Sequence, residues 1–143
     1  MRDGKGGAIN RGLEMSVKEE PELDILVADD EPHIARSLEF IFKREGYIVK
    51  MASDGDAAMR VMKENKPKIV FLDMIMPNKN GDEICKIIKS DSELQNIHVI
   101  ILTAKGQELD KQLCMSAGAD EFITKPFSPK EIVARVKSIL EKV

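Results

Sequence analysis

Short apolar runs alternate with amphipathic segments five times from Leu23 onward. The runs are Ile25–Ala28, about Tyr47–Ala52, Ile69–Leu72, Val99–Leu102 and Phe122–Ile123. An unbroken apolar run indicates a strand that is buried on both faces, which is typical of a parallel sheet. Parallel strands need right-handed crossovers, and each amphipathic segment supplies a helix for one of them. The sequence therefore predicts an α/β fold, in which a doubly wound parallel sheet of five strands carries helices on both faces.

Helix boundaries can also be predicted from local signals. Gly46 is the expected stop of the first helix and Gly118 that of the fourth, because glycine readily takes the conformation that ends a helix. The last helix has the clearest start. Ser128 can cap it, Pro129 occupies the first helical position, and Glu131 completes a capping box.

The first twenty residues differ from the rest of the chain. Four of the nine glycines lie there among charges, without hydrophobic periodicity. Such a segment buries too little apolar surface to offset the entropy of ordering. We expect residues 1–20 to form a disordered tail and residues 21–143 one domain. Met15 is a candidate natural start, with residues 1–14 as an artificial extension.

Composition and charge exclude several classes of protein. The net charge of −3 and the pI of 5.5 argue against nonspecific binding of nucleic acid or of an anionic membrane. No apolar run reaches the roughly 18 residues of a transmembrane helix, and the N-terminus lacks the apolar region of a secretory signal. We expect a cytoplasmic protein in which Cys85 and Cys114 are reduced thiols in or near the core.

Polar residues stand at the carboxyl ends of four of the predicted strands. They are Asp29, Asp30, Asp73, Thr103 and Lys125. For any one of them, a role in a turn or helix cap is the simpler explanation. The set needs another, because clustered carboxylates repel one another unless a cation lies between them. Oxygen ligands alone favour Mg²⁺, with Mn²⁺ as an alternative.

Four motifs together resemble the receiver domain of two-component response regulators. They are Asp29-Asp30-Glu31, Asp73-Met74-Ile75-Met76-Pro77-Asn78-Lys79-Asn80-Gly81, Leu102-Thr103-Ala104 and the segment from Gly118 to Phe127. The resemblance covers about Leu23 to Leu140. It implies a flavodoxin-like (βα)5 fold with strand order 2-1-3-4-5, in which the first and third strands are neighbours. Asp29, Asp30 and Asp73 would then meet.

The resemblance also implies a role for each site residue. Asp73 would be the phosphorylated nucleophile, with phosphohistidine as donor. Asp30, Asp73 and the backbone carbonyl of Ile75 would bind Mg²⁺, and Asp29 would act through water. Lys125 would pair with a phosphoryl oxygen. The partner upstream would be a histidine kinase or a phosphotransfer protein, and the domain would be a switch that catalyses its own phosphorylation and dephosphorylation.

Two further residues would pass on the signal in such a domain. Thr103 would move toward the phosphoryl group, and Phe122 would turn into the space that it leaves. The face formed by the fourth helix, fifth strand and fifth helix would then bind a downstream protein. Ile75 and Lys105 would modulate the phosphoryl lifetime. The chain ends soon after the last helix, so we expect a stand-alone receiver or one excised from a longer protein.

Two local features accompany the motifs. The bond between Lys125 and Pro126 resembles one that is cis in the family. Gly81 is expected at a backbone position with positive φ.

Three other classes of protein are alternatives to a receiver domain. A haloacid dehalogenase-type hydrolase needs a second carboxylate where this chain has Ile75. A flavodoxin-like electron carrier needs a hydroxyl- and glycine-rich phosphate loop, whereas Asp29-Asp30-Glu31 would repel a flavin phosphate. An interaction module that works without phosphorylation stays open, although such modules usually have a damaged acidic set and this set is complete.

Overall fold

The computed structural model describes residues 21–104 and 108–141, and for residues 108–110 it describes the backbone alone. The tail predicted for residues 1–20, and Lys105, lie outside the described residues. The strands are β1 (Ile25–Ala28), β2 (Val49–Ala52), β3 (Ile69–Asp73), β4 (His98–Ala104) and β5 (Glu121–Lys125). The helices are α1 (Pro32–Arg44), α2 (Gly55–Glu64), α3 (Gly81–Ser90), α4 (Glu108–Ser116) and α5 (Pro129–Leu140).

All five strands form one parallel sheet in the order β2-β1-β3-β4-β5, which confirms the expected order 2-1-3-4-5. The register pairs Ala28 with Leu72 and Asp73 with Leu102. The amide of Met74 continues this ladder by donating to the carbonyl of Leu102 at 3.0 Å. The carboxyl ends of β1 and β3 are therefore side by side, with β4 next to them.

Two hydrophobic clusters cover the two faces of the sheet. On one face, α1 and α5 pack through residues such as Leu38, Phe42 and Ile132. On the other face, α2, α3 and α4 contribute Met62, Ile84 and Cys114, among others. Each residue of β1 and β3 is buried, as the unbroken apolar runs predicted. The doubly wound architecture is confirmed.

Strand β2 is shorter than the apolar run that predicted it. Tyr47 and Ile48 precede the strand, because their backbone amides bond outside the β1–β2 ladder, although the Ile48 carbonyl accepts from the amide of Ile25. The amide of Tyr47 donates to the carbonyl of Phe42, and the amide of Ile48 donates to Oδ2 of Asp24 at 2.8 Å. At the other edge, β5 is longer than predicted and each of its residues is half-buried.

The prediction of a positive φ at Gly81 is wrong. The residue of that loop with positive φ is Asn78, at 74°. Gly81 instead begins α3 and lies against the end of β3, where a Cβ atom would come within 2.6 Å of the Asp73 carbonyl oxygen. A close approach of two backbones explains this glycine. Gly46 and Gly118, which follow α1 and α4, do have positive φ, at 91° and 94°.

The start of α5 follows the predicted cap. Ser128 precedes the helix, and its hydroxyl accepts a hydrogen bond from the amide of Glu131 at 3.3 Å. Cys85 and Cys114 are not joined by a disulfide and both are buried, as expected for reduced thiols in the core. Within residues 21–104 and 108–141, no helix combines the length and the apolar character that crossing a membrane requires.

Candidate functional site

Three carboxylates meet at the carboxyl end of the sheet. Asp29 and Asp30 follow β1, and Asp73 is the last residue of β3. One oxygen atom from each lies within 4.8 Å of the others. Asp29 and Asp73 are buried, whereas Asp30 is exposed. The adjacency of β1 and β3 therefore brings together side chains that are more than forty positions apart in the chain.

Both oxygen atoms of Asp29 lie close to other groups of the protein, although Oδ2 has no hydrogen-bond partner among the described residues. Oδ1 accepts a hydrogen bond from the backbone amide of Glu31 at 2.9 Å. Oδ2 lies 3.1 Å from Nζ of Lys125, as a close ion pair. Asp29 thus lies between Glu31 and Lys125, while Asp30 is exposed to solvent beside Asp73.

Lys125, the last residue of β5, reaches three carboxylates. Its Nζ lies 2.9 Å from Oε1 of Glu31, 3.1 Å from Oδ2 of Asp29 and 3.5 Å from Oδ1 of Asp73. The bond between Lys125 and Pro126 is cis. Sequence reasoning gave Glu31 no role, since its contact with Lys125 joins residues 94 positions apart and leaves no local pattern.

Burial and neighbouring charges shift the pKa values of Asp73, Lys125 and Glu31. Burial, together with the charge of Asp29, raises the pKa of Asp73 to about 7, although Lys125 acts in the opposite direction. Burial alone would lower the pKa of Lys125, but its bonds to Glu31 and Asp29 and the charge of Asp73 raise it overall. The hydrogen bond from Lys125 also lowers the pKa of Glu31. A positive charge is thus held firmly beside a carboxyl group that resists ionisation.

Thr103 carries a polar atom that lacks a partner in the fold. It lies in β4, one residue beyond the Leu102 that pairs with Asp73, and it is 1 % exposed. Its hydroxyl oxygen has no hydrogen-bond partner among the described residues. A buried hydroxyl without a partner is costly, so its presence at this edge indicates a ligand that reaches it.

The loop between β3 and α3 is closed at its base. The amide of Gly81 donates to the carbonyl of Met74 at 2.9 Å, and Oδ1 of Asn80 accepts a bond from the amide of Met76 at 3.3 Å. The amide of Asn80 donates to the carboxylate of Glu83 at 2.8 Å, which caps α3. Ile75 lies in this loop, two residues after Asp73, and is 70 % exposed.

Phe122 lies on β5, outside the acidic group that Asp29, Asp30 and Asp73 form. Its ring is half-buried, and Nζ of Lys111 from α4 lies 5.2 Å from the ring centroid. A groove of about 510 Å³ runs between β5 and α5, with Phe122, Phe127 and Arg135 among its lining residues. Phe122 therefore connects α4 to this groove.

The chemistry of the site follows from its donors. Carboxylate oxygens without sulfur or imidazole suit a hard divalent cation, and such an ion would relieve the repulsion among the three aspartates. The exposed Asp30 and the raised pKa of Asp73 both fit that need. Asp29, Asp30 and Asp73 would hold such a cation, and the cation would supply positive charge in addition to that of Lys125. The fold and the site together define a doubly wound α/β domain with an acidic group of side chains at the carboxyl edge of its sheet.

Comparisons with known proteins identify the family. The family model of the response regulator receiver domain matches residues 25–137. The chain belongs to this family.

Three solved structures illustrate the likeness. The signal receiver domain of a signal transduction histidine kinase from Syntrophus aciditrophicus shares 32 % identity at a TM-score of 0.79, covering 84 % of this chain and 91 % of that one. The Francisella response regulator 1452 receiver domain shares 30 % at 0.76, covering 85 % and 98 %. NtrX from Brucella abortus shares 27 % at 0.76, and the match covers 85 % of this chain but 28 % of that longer one.

Membership of the family establishes the general role. Receiver domains are signalling switches of two-component systems rather than enzymes of metabolism, and they interact with histidine kinases and downstream effectors. They bind Mg²⁺ at an acidic pocket, and this chain has the matching group in Asp29, Asp30 and Asp73.

Proposed function

We propose that this domain accepts a phosphoryl group on Asp73 from the phosphohistidine of a histidine kinase or phosphotransfer protein, in a reaction that needs Mg²⁺. The observation that carries the proposal is the position of the Asp73 carboxylate. It lies among two other aspartates, with Nζ of Lys125 at 3.5 Å. No structural need of the sheet explains that grouping, whereas phosphoryl transfer uses each member of it.

The residues divide the work of the transfer. One carboxylate oxygen of Asp73 attacks phosphorus, and a P–O bond forms as the P–N bond of phosphohistidine breaks. The electron pair of the broken bond stays on the imidazole. Lys125 neutralises one phosphoryl oxygen, and the unpartnered hydroxyl of Thr103 donates to another. Attack of water on the phosphorus of phosphorylated Asp73 would break the P–O bond, restore the carboxylate and release inorganic phosphate, so the domain would catalyse its own dephosphorylation.

Asp30, Asp73 and the carbonyl of Ile75 are the residues that would hold Mg²⁺ directly. Asp29 would act through water, which suits a carboxylate whose oxygens already contact Glu31 and Lys125. The ion would supply charge neutralisation between Asp73 and the incoming phosphoryl group, and Mn²⁺ has the ligand preference to replace it.

Labelling with a small phosphodonor tests the proposal. With acetyl phosphate and Mg²⁺, the wild type is expected to gain the mass of one phosphoryl group, which hydroxylamine removes because an acyl phosphate is electrophilic at carbon. Asp73→Asn is expected to gain nothing. Intact-mass spectrometry measures both.

A matched variant guards against nonspecific loss. Asp82→Asn removes a carboxylate in the first turn of α3, outside the acidic group, and should be labelled like the wild type. Equal labelling of the wild type and Asp73→Asn would refute the proposal. Absence of any label on the wild type would instead favour an interaction module that works without phosphorylation.

We further propose that Thr103 and Phe122 carry the switch. Contact of Thr103 with the phosphoryl group would favour an inward position of Phe122, and the face formed by α4, β5 and α5 would then bind a downstream protein. The groove between β5 and α5 supplies an apolar surface for that purpose. A cytoplasmic location stays a prediction.

Beryllofluoride, which mimics a phosphoryl group, tests the switch. Added with Mg²⁺, it is expected to shift the NMR signals of Thr103 and Phe122 and to leave those of Phe40 unchanged. Phe40 is a useful reference because it is an exposed phenylalanine on α1, which is not one of the elements of the face formed by α4, β5 and α5. Unchanged signals from Thr103 and Phe122 in a domain that binds beryllofluoride would contradict the switch.

A further inference from the structure

The N-terminus of α2 packs against the loop that follows Asp73. A Cβ atom on Gly55 would lie 2.6 Å from Cβ and 2.8 Å from the carbonyl oxygen of Lys79. Side-chain atoms do not approach other atoms so closely, so a larger residue at Gly55 would displace one of the two segments. Gly55 is not among the glycines with positive φ. Close packing, rather than an unusual backbone conformation, therefore explains this glycine.

Polar contacts join the same two segments. The amide of Gly55 donates to the carbonyl of Pro77 at 3.2 Å, and Nζ of Lys79 lies 3.3 Å from Oδ1 of Asp56. The helix end that makes these contacts is itself fixed, because Oδ1 of Asp54 accepts a bond from the amide of Ala57 at 2.8 Å. The outer side of the loop thus rests on a capped helix.

The loop is consequently held from two directions. At its base, the amide of Gly81 donates to the carbonyl of Met74. On its outer side, Gly55 holds Pro77 and Lys79. Ile75 lies between these two attachments, with its side chain exposed to solvent and without a core to hold it. Its backbone position is determined by the attachments on either side.

We infer that Gly55 is a positioning residue for Mg²⁺ binding: it keeps the loop at the distance from α2 that directs the carbonyl of Ile75 toward the acidic group. The inference rests on the proposed function, since it assigns that carbonyl to the metal. Gly55 touches neither the ion nor the phosphoryl group. It acts through the backbone of Pro77 and Lys79.

Metal affinity in the absence of phosphodonor tests this inference. Gly55→Ala in the full chain should push the loop outward and weaken Mg²⁺ binding about ten-fold, the effect typical of losing an outer-shell support. Isothermal titration calorimetry with MgCl₂ measures the dissociation constant. Thermal unfolding in EDTA reports the accompanying loss of stability.

Gly46→Ala is the matched control. Gly46 has a φ of 91°, and a Cβ atom there would have nothing within 4 Å. Alanine at that position strains the backbone and should lower the Tm by about 5 °C, but it lies after α1 and touches no residue of the loop. Its dissociation constant for Mg²⁺ should equal that of the wild type. An equal weakening in both variants would reduce the effect to general destabilisation and overturn the inference.

A measurement on the wild type covers the case in which Gly55→Ala does not fold. During an NMR titration with MgCl₂, the amide signal of Gly55 should shift with the same midpoint as that of Asp30, because the two are coupled through the loop. The amide of Gly46 should not shift. A Gly55 signal that stays in place while Asp30 titrates would overturn the inference.

Failure of the inference is distinguishable from failure of the proposed function. If the wild type binds Mg²⁺ and accepts the phosphoryl group, but Gly55→Ala binds the ion equally well, Gly55 has no positioning role and the site assignment stands. If the wild type does not bind Mg²⁺ at all, the site assignment itself falls.

Discussion

The ionised side chain of Asp73 opposes the stability of the fold. It is 8 % exposed and lies beside Asp29, so its ionised form is disfavoured by lost hydration and by repulsion. Lys125 offsets part of this effect, but that lysine is shared with Asp29 and Glu31. The negative charge on Asp73, which the proposed reaction needs, therefore costs folding free energy.

Replacing Asp73 should accordingly stabilise the metal-free domain. The folded state holds the proton of Asp73 up to a pH of about 7, whereas the unfolded chain releases it near the ordinary value of 3.8. Between these values the folded state binds more protons, so stability falls as the pH rises and levels off above about 7. We expect Asp73→Asn to gain on the order of 1–2 kcal/mol at about pH 8, a figure that allows for screening by water.

Chemical denaturation in EDTA at about pH 8 and pH 4 measures this gain. At the lower pH both states of the wild type keep much of the proton, and the difference between the two proteins should shrink. Saturating Mg²⁺ should also shrink it, because the ion stabilises the wild type and loses a ligand in the variant. A variant that is less stable than the wild type at the higher pH would contradict the expectation.

At the level of strands and helices, local signals accounted for most of the fold. The unbroken runs that became β1, β3 and β4 predicted buried strands, and Ser128-Pro129 predicted the start of α5. Boundaries failed where a contact from elsewhere intervened, as at Ile48, whose amide bonds to the side chain of Asp24. Such contacts cross twenty or more residues, so no pattern within one segment encodes them.

The site divides in the same way. The acidic residues and Lys125 were predictable because each lies at or just after the carboxyl end of a strand, and these ends meet at one edge of a parallel sheet. The contact of Glu31 with Lys125 was not, because it depends on how two loops approach one another. Gly81 shows a subtler limit. A glycine at this position indicated an unusual requirement of the backbone, but the sequence could not distinguish a positive φ from a close approach to Asp73.

On the scale of the whole molecule, the two cysteines belong to the same closed core. Cys85 on α3 and Cys114 on α4 are both fully buried in the cluster that α2, α3 and α4 form against the sheet. Burial also raises the pKa of Cys85 to about 11, which removes the reactive thiolate at neutral pH.

Both thiols should therefore resist a soluble thiol reagent until the domain unfolds as a unit. We expect native protein to react with 5,5′-dithiobis(2-nitrobenzoic acid) at the rate of global unfolding, and both residues to react at once in urea. Stopped-flow absorbance follows the reaction, and peptide mapping after partial labelling separates the two sites. Rapid labelling of one cysteine in native protein would reveal local opening of the helix that carries it.

Asp73, the proposed nucleophile, also belongs to the hydrogen-bonded sheet. Asp73 pairs with Leu102 at the carboxyl end of the ladder between β3 and β4, and the next amide, that of Met74, bonds to the Leu102 carbonyl. The backbone of Asp73 cannot move toward a phosphodonor without breaking the hydrogen bonds between β3 and β4. The phosphodonor must therefore approach Asp73. How readily a donor reacts would depend on how closely it can place its phosphorus against this fixed carboxylate.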